Sequence, residues 1–226
     1  MENHPNSLKK GEFVVIEDEV DIGENVSIGH NTVILKGTVI GDNVNIGCNC
    51  VIGIQQGGNT RMRKSDEMGN KLIIKDNTYI GNIVSIYSGS IISKNVFVGD
   101  HASIRENVLV DSESVIGRGA IIELNTKIGK ACTVQTLAYV TGDTTLEDHV
   151  FIGPCVSMSN DKYMGAEKYE LKGPTIKENA KIGNNSSLLP NVVIGKDVIV
   201  GAGSVVTKNI QDGEKIAGVP ANSMKK

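Results

Sequence analysis

A hydrophobic period of six constrains this chain more than any other feature. Ile16, Ile22, Ile28, Ile34, Ile40, Ile46 and Ile52 stand six residues apart. A second series in a new register runs from Ile74 through Ile80, Ile86, Ile92, Val98, Ile104, Val110, Ile116, Ile122, Ile128, Val134, Val140, Leu146 and Ile152 to Met158. A third runs from Ile176 through Ile182, Leu188, Ile194 and Val200 to Val206. Neither a helix, with its 3.6-residue repeat, nor the plain alternation of a strand gives a strict period of six, so the hexapeptide itself is the structural unit.

Two positions before each anchor the residue is usually small or β-branched, as in Val26, Thr38, Ser90, Ala102, Ala120 and Ala138, so both residues point inward from one short strand. Glycine often follows the anchor and is itself followed by Asp, Asn, Glu or Lys, which reads as a corner that turns without a Cβ penalty. Three flat strands per turn make a triangular parallel coil, each strand stacking on its equivalent 18 residues later at about 4.8 Å. The expected fold is all-β, a single solenoid of about nine coils and roughly 40 Å. Residues 1–12 read as an N-terminal extension and 211–226 as a C-terminal tail.

Composition agrees with a core of small aliphatic groups. Aromatic residues make up only 4% of the 226, with no Trp, so Ile, Val and Leu must fill the interior. A net charge of −3 leaves no basic stripe to neutralise a run of phosphates, so no nucleic-acid partner is expected. No apolar run approaches the roughly 20 residues of a membrane span, and the opening MENHPNSLKK has no apolar export signal. A cytoplasmic protein without a membrane partner is the expectation. Four cysteines make no disulfide framework in this context, and Cys50 and Cys132 occupy the small inward position as core residues.

A uniform solenoid has no site, so the departures from the pattern are the informative residues. Between Ile52 and Ile74 the interval is 22 residues, and the polar segment Ile54 to Leu72 reads as replacing a coil and shifting the register, a first insertion over 54–73. Between Met158 and Ile176, residues 159–175 distort one coil or leave it as a second loop. Sorted by every 18th residue, one edge of the prism reads Gly81, Gly99, Gly117, Gln135, Gly153 and resumes at Gly183 and Gly201. A second edge reads Tyr87, Arg105, Glu123, Thr141, Ser159, and a third Ser93, Asp111, Gly129, Glu147. The second edge is a polar column ending where the second loop begins, and it is the best candidate site. The bland reading of Arg105 and Glu123 is a surface ion pair worth under about 1 kcal/mol. For Gln135 it is a hydrogen bond to a neighbouring corner, and for His101 and His149 an exposed turn position.

The pattern, together with the closing stretch VGAGSVVTKNI…IAGVPA between Val200 and Ala221, resembles the hexapeptide-repeat acyltransferases, whose fold is a left-handed parallel β-helix. Handedness comes from that resemblance alone. Within the family, residues 133–161 and 172–195 are most similar to the branch that acylates nucleotide-linked amino sugars. The resemblance implies a homotrimer with sites in the clefts between neighbours. It implies acyl-CoA, acetyl or another short acyl, as co-substrate, with no metal. Ser186, Gly201, Ala202, Lys208 and Pro220 would lie along the CoA arm. Tyr87, Arg105, Thr141, Asn160 and Asp161 would face a dTDP- or UDP-linked amino sugar. Glu123 and Gln135 would be the catalytic pair, the carboxylate as proton acceptor and the amide holding the acceptor or polarising the carbonyl. Neither long insertion contains the His that many members carry in a protruding loop, which favours a carboxylate or the departing thiolate as base.

The segments before residue 13 and after Ala221 are too short for a nucleotidyltransferase or a helical domain, which counts against sugar-1-phosphate uridylyltransferases and the fatty-acyl transferases of lipid A assembly. A γ-type carbonic anhydrase on the same fold needs three zinc-binding His, two of them close in sequence, and His4, His30, His101 and His149 contain no such pair. The remaining alternatives are a non-catalytic scaffold and an acetyltransferase acting on another small hydroxyl or amine acceptor.

Overall fold

The computed structural model describes residues 7–60, 62–63 and 71–224. His4, the first six residues of the expected extension, most of the second half of the first insertion and the last two residues of the tail lie outside the described residues. Short strands, mostly of two residues, stack into three sheets of 12, 10 and 9 strands. These are the first, second and third faces of a prism, joined by the first, second and third edges. Equivalent strands pair in parallel with the expected register, for example Ile86 with Ile104, Ile104 with Ile122 and Ile122 with Val140. Among the described residues the one antiparallel pair joins Lys215–Ala217 to Asn222–Ser223 near the C-terminal end.

The solenoid is longer than the periodicity implies, with about eleven turns. Lys9–Lys10 already pairs with Ser27–Ile28, so part of the expected extension is a coil whose anchor position holds an exposed Lys. Beyond Val206 the step shortens to Ile210, which bridges Ile194, and Lys215–Ala217 then adds another rung on Ile199–Val200. A search for regularly spaced aliphatic residues misses both ends for these reasons.

The anchors and the small residues two before them form one continuous buried core. Branched aliphatic side chains suit it because their restricted χ1 costs little on a pleated surface. Where the small residue is Ser or Thr, its hydroxyl often donates to a carbonyl 15 residues on, as from Thr32 to Gly47, Ser90 to Arg105 and Ser114 to Gly129 at 2.7–2.8 Å, while Thr38 and Ser204 donate three residues back. Cys50 and Cys132 sit inside as expected, and burial pushes the Cys132 thiol up to about 11.

The corners work differently from the sequence expectation. Except at Gly53, where the first insertion leaves, the glycine after an anchor is not the residue that turns with positive φ. It is a point of close approach, since a Cβ on Gly81 would stand 2.7 Å from the Asp100 amide nitrogen. The left-handed residue comes two positions later and is commonly Asn, as at Asn25, Asn43 and Asn125 with φ of 56–57°. The intervening Asp reaches one coil back, where Asp42 and Asp100 accept the amide protons of Glu24 and Asn82.

The first insertion does not replace a coil. Ile74 pairs with Ile40, one full turn back, so the 22-residue interval is an ordinary six-residue step with 16 residues extruded from a corner. Likewise Ile176 pairs with Leu146, and the second insertion adds 12 residues to one step. Both leave the second face, after Val51–Ile54 and after Ser157–Met158, and both return to the third. The two insertions therefore emerge from the same edge, the one that carries the polar column.

Candidate active site

On the second edge, Tyr87, Arg105, Glu123 and Thr141 follow the anchors of four successive turns and so lie one above another. The Arg105 guanidinium lies 5.1 Å over the Tyr87 ring. Its Nε and Nη2 donate to the two carboxylate oxygens of Glu106 at 2.8 and 3.0 Å. Its Nη1 lies 3.5 Å from Glu123 Oε2, so the pair read from the sequence is present but secondary. Glu106 raises the proton affinity of Arg105 above its ordinary value, against the opposing effect of burial. Tyr139, on the second face, completes the group. Burial, and after it the charge of Glu123, pushes its phenol up, while a hydrogen bond to the Thr141 side chain and the Arg105 cation act in the other direction.

This cluster holds one cation and two anions. The Glu123 side chain is 21% exposed, so its carboxylate is both accessible and partly shielded. Two carboxylates to one guanidinium, beside the Tyr87 ring, suit a cationic or hydrogen-bond-donating group, such as an amine, better than a phosphate. Glu106 and Tyr139 escaped the sequence reading. Glu106 occupies the same corner position as many solvated acidic residues, and Tyr139 an outward strand position. Only the missing glycine before Glu106 gave a signal.

The first insertion is tied to the same edge. Asn107 donates to Asn125 and Asn125 to Asp143, an amide ladder along successive corners at 3.4 and 3.2 Å. The far end of that ladder, Asp143, takes both guanidinium nitrogens of Arg63 from the first insertion. Arg63 and Asp143 line an open recess of about 560 Å³ with Glu170, Leu171 and Lys172 of the second insertion.

In the second insertion, Asn160 donates to the Gly142 carbonyl at 3.4 Å. Both oxygens of Asp161 are engaged by the loop backbone, accepting from Tyr163 and Gly165. Thr144 marks a cost of the excursion. It is fully buried, yet its hydroxyl has no partner, because the carbonyl 15 residues on belongs to Ser159, where the loop leaves the coil.

The other expected residues fall elsewhere. Gln135 stands on the first edge, across the second face from Glu123, so the two do not meet within one chain. Gly201 and Ala202 continue the first edge, whereas Lys208 follows the last strand of the second face and is exposed, as is Pro220. Ser186 is sealed in the core, its hydroxyl donating to the Gly201 carbonyl, so its side chain offers nothing to a molecule outside. Thr141 is buried at 3% exposure and meets the cluster through Tyr139. His101 and His149 hold left-handed corner positions, and the backbone carbonyl of His149 accepts from Lys181. Among the described residues no group of three His, Cys, Asp or Glu could hold a metal ion.

Residues 19–53 and 173–208 match the family described as bacterial transferase hexapeptide (six repeats). Those two stretches, 71 of the 226 residues, carry the hexapeptide repeat of that family. The hexapeptide-repeat chain is 41% identical over 90 residues to the bifunctional protein GlmU of Trichodesmium erythraeum, which covers 40% of this chain and 18% of that one. It is 34% identical over 97 residues to the serine acetyltransferase of Buchnera aphidicola, covering 38% of this chain and 37% of that one. It therefore spans well under half the length of either relative. Over 96% of its own length and 74% of the other's it superposes on the UDP-N-acetylglucosamine acyltransferase of Campylobacter jejuni, with a TM-score of 0.55 and 17% identity, a likeness of fold. Among the described residues no helix is long and apolar enough to cross a membrane.

Proposed function

We propose that this hexapeptide-repeat chain is an acyl-CoA-dependent N-acyltransferase whose acceptor is the amine of a nucleotide-linked amino sugar. The observation that carries the reading is the second-edge cluster, where the accessible carboxylate of Glu123 stands 3.5 Å from an Arg105 guanidinium that lies over the Tyr87 ring, at the edge from which both insertions emerge. The relative named for serine acetylation supports acyl transfer as the reaction class, and the similarity of residues 133–161 and 172–195 to the amino-sugar branch supports the acceptor. In the reaction the neutral amine attacks the thioester carbonyl carbon, the C–S bond breaks, and coenzyme A leaves as thiolate. Glu123 takes the proton released from the amine, and amide or backbone donors stabilise the transient oxyanion. The acyl-CoA arm would run over the late coils past Gly201, Ala202, Lys208 and Pro220. The cytoplasm supplies acyl-CoA and keeps free thiols such as Cys48 and Cys155 reduced.

The working unit in this reading is a homotrimer. Along the first edge, left-handed corner positions that elsewhere hold Asn hold Phe13, Ile83 and Leu137, which are 79%, 49% and 60% exposed. Bulky apolar residues are costly in that conformation, on the order of 1 kcal/mol or more each. Their exposure is costly as well. Burial against a second copy accounts for both, and the Tyr79–Phe97 stack on the first face widens the same apolar surface. Packing along this edge would also set the Gln135 edge of one protomer against a neighbour. Purified protein is assayed for thiol release from acetyl-CoA with a panel of dTDP- and UDP-linked 3-amino and 4-amino dideoxyhexoses. Turnover with at least one acceptor supports the reading, and turnover with L-serine alone would move the acceptor to a small amino acid.

A further inference from the structure

Among the described residues Glu106 is the one charged side chain that is fully buried, at 3% exposure. A buried carboxylate is expensive unless its hydrogen bonds are met, and here both oxygens are met by one partner, Arg105, in a bidentate fork. The two residues are adjacent in sequence and share a corner that turns at Asn107, with φ of 56°. The Tyr87 ring covers the guanidinium from one side. Arg105 is thus fixed by an acid below and a ring above, with only Nη1 left toward Glu123, at 3.5 Å rather than hydrogen-bond distance.

We propose that Glu106 is a positioning residue that holds Arg105 in this fork and so keeps the Glu123 carboxylate free for the acceptor amine. The proposal rests on the reading of Glu123 as proton acceptor. Without Glu106, a half-buried guanidinium would take the nearest remaining carboxylate, and that carboxylate is Glu123. A fork between Arg105 and Glu123 would occupy both oxygens of the base. The chemistry would then lose its proton acceptor, although no residue that touches substrate had changed. A merely structural Glu106 would instead cost folding stability and leave turnover per folded molecule intact.

Crystal structures of the wild type and Glu106→Gln test the placement. The expected result is closure of the Arg105–Glu123 separation from 3.5 Å to about 2.9 Å. With acetyl-CoA and a dTDP-linked 4-amino-4,6-dideoxyhexose, kcat of Glu106→Gln should fall about ten- to a hundredfold with little change in KM for acetyl-CoA. An unmoved Arg105, or wild-type kcat in a variant whose Arg105–Glu123 separation has closed, overturns the proposal. Should Glu106→Gln not fold, Glu106→Asp, which keeps the charge but is too short for the full fork, is read in the same way. If Glu123→Gln retains wild-type turnover, the reading of Glu123 fails by itself, while the crystallographic shift still decides whether Glu106 holds Arg105.

Discussion

The third edge and the second edge are built on the same repeat and use their polar side chains in opposite ways. On the third edge Asn25 donates to Asn43 and Asn43 to Asn77, while Asp42 and Asp76 accept the backbone amides of Glu24 and Asp42. Lys94 pairs with Asp76 and Lys196 with Glu178. Nearly every polar group there is spent on joining one coil to the next. The second edge keeps the same amide ladder at Asn107, Asn125 and Asp143 but adds, one step back, side chains that satisfy one another rather than the backbone. A solenoid gains a site where its corner residues are released from closing the coil.

The largest expected effect sharpens that contrast. Glu123→Gln should lower kcat by roughly ten- to a thousandfold with a smaller effect on acetyl-CoA binding, as measured by thiol release. Lys196→Met, on the third edge, should leave turnover unchanged. Equal losses in both variants would erase the functional difference between the edges.

Next in size is the second insertion. Deleting 162–170 should leave a folded oligomer with poor catalysis, because the loop leaves the same edge as Glu123 and carries the Tyr163–Tyr169 edge-to-face pair outside the core. Unchanged kcat/KM for both substrates with a loosened oligomer would make the loop structural. A third effect concerns the first edge. Ile83→Asn combined with Leu137→Asn relieves two strained φ angles and removes exposed apolar groups, so monomer stability should hold or rise while sedimentation shifts toward the monomer. A trimer unaffected by both changes would place the interface on another edge.

The fold was legible because each turn repeats one physical demand, an inward aliphatic residue and a small neighbour, and Ile86, Ile104 and Ile122 show their register without further help. The ends were not, because Lys10 fills an anchor position with a charge and Ile210 breaks the step. The polar column of the second edge was visible, and with it Tyr87, Arg105 and Glu123. Its strongest contact was hidden, since the bond between Arg105 and Glu106 joins neighbours whose meeting depends on the turn at Asn107. The shared edge of the two insertions was hidden as well. A 22-residue interval fits a replaced coil as readily as an extruded corner until Ile74 is seen paired with Ile40.

The smallest effect tests the other side of the comparison. Asp76 and Lys94 on the third edge form a solvent-accessible pair at 2.8 Å. The Lys94 bond, and after it the Asp42 amide, hold the Asp76 carboxyl below the usual range, and Asp76 in turn raises Lys94. Such a pair is screened by water and salt, so its charge contributes little. Asp76→Asn keeps an oxygen that can accept from Asp42 and removes only the charge. At neutral pH it should lower Tm by less than about 2 °C. The sign with pH is fixed by the shifts. A depressed carboxyl stabilises the fold above its unfolded pKa and loses that contribution as pH falls through the folded value, so the gap between wild type and variant should close in acid, below about pH 4. The raised Lys94 keeps its contribution below the ordinary lysine pKa and loses it only as pH climbs through the folded value, so the gap should persist through the mildly alkaline range. A gap that widens in acid would mean that the Asp76 charge opposes folding, and the picture of the third edge as a self-satisfied seam would fail at its most regular point.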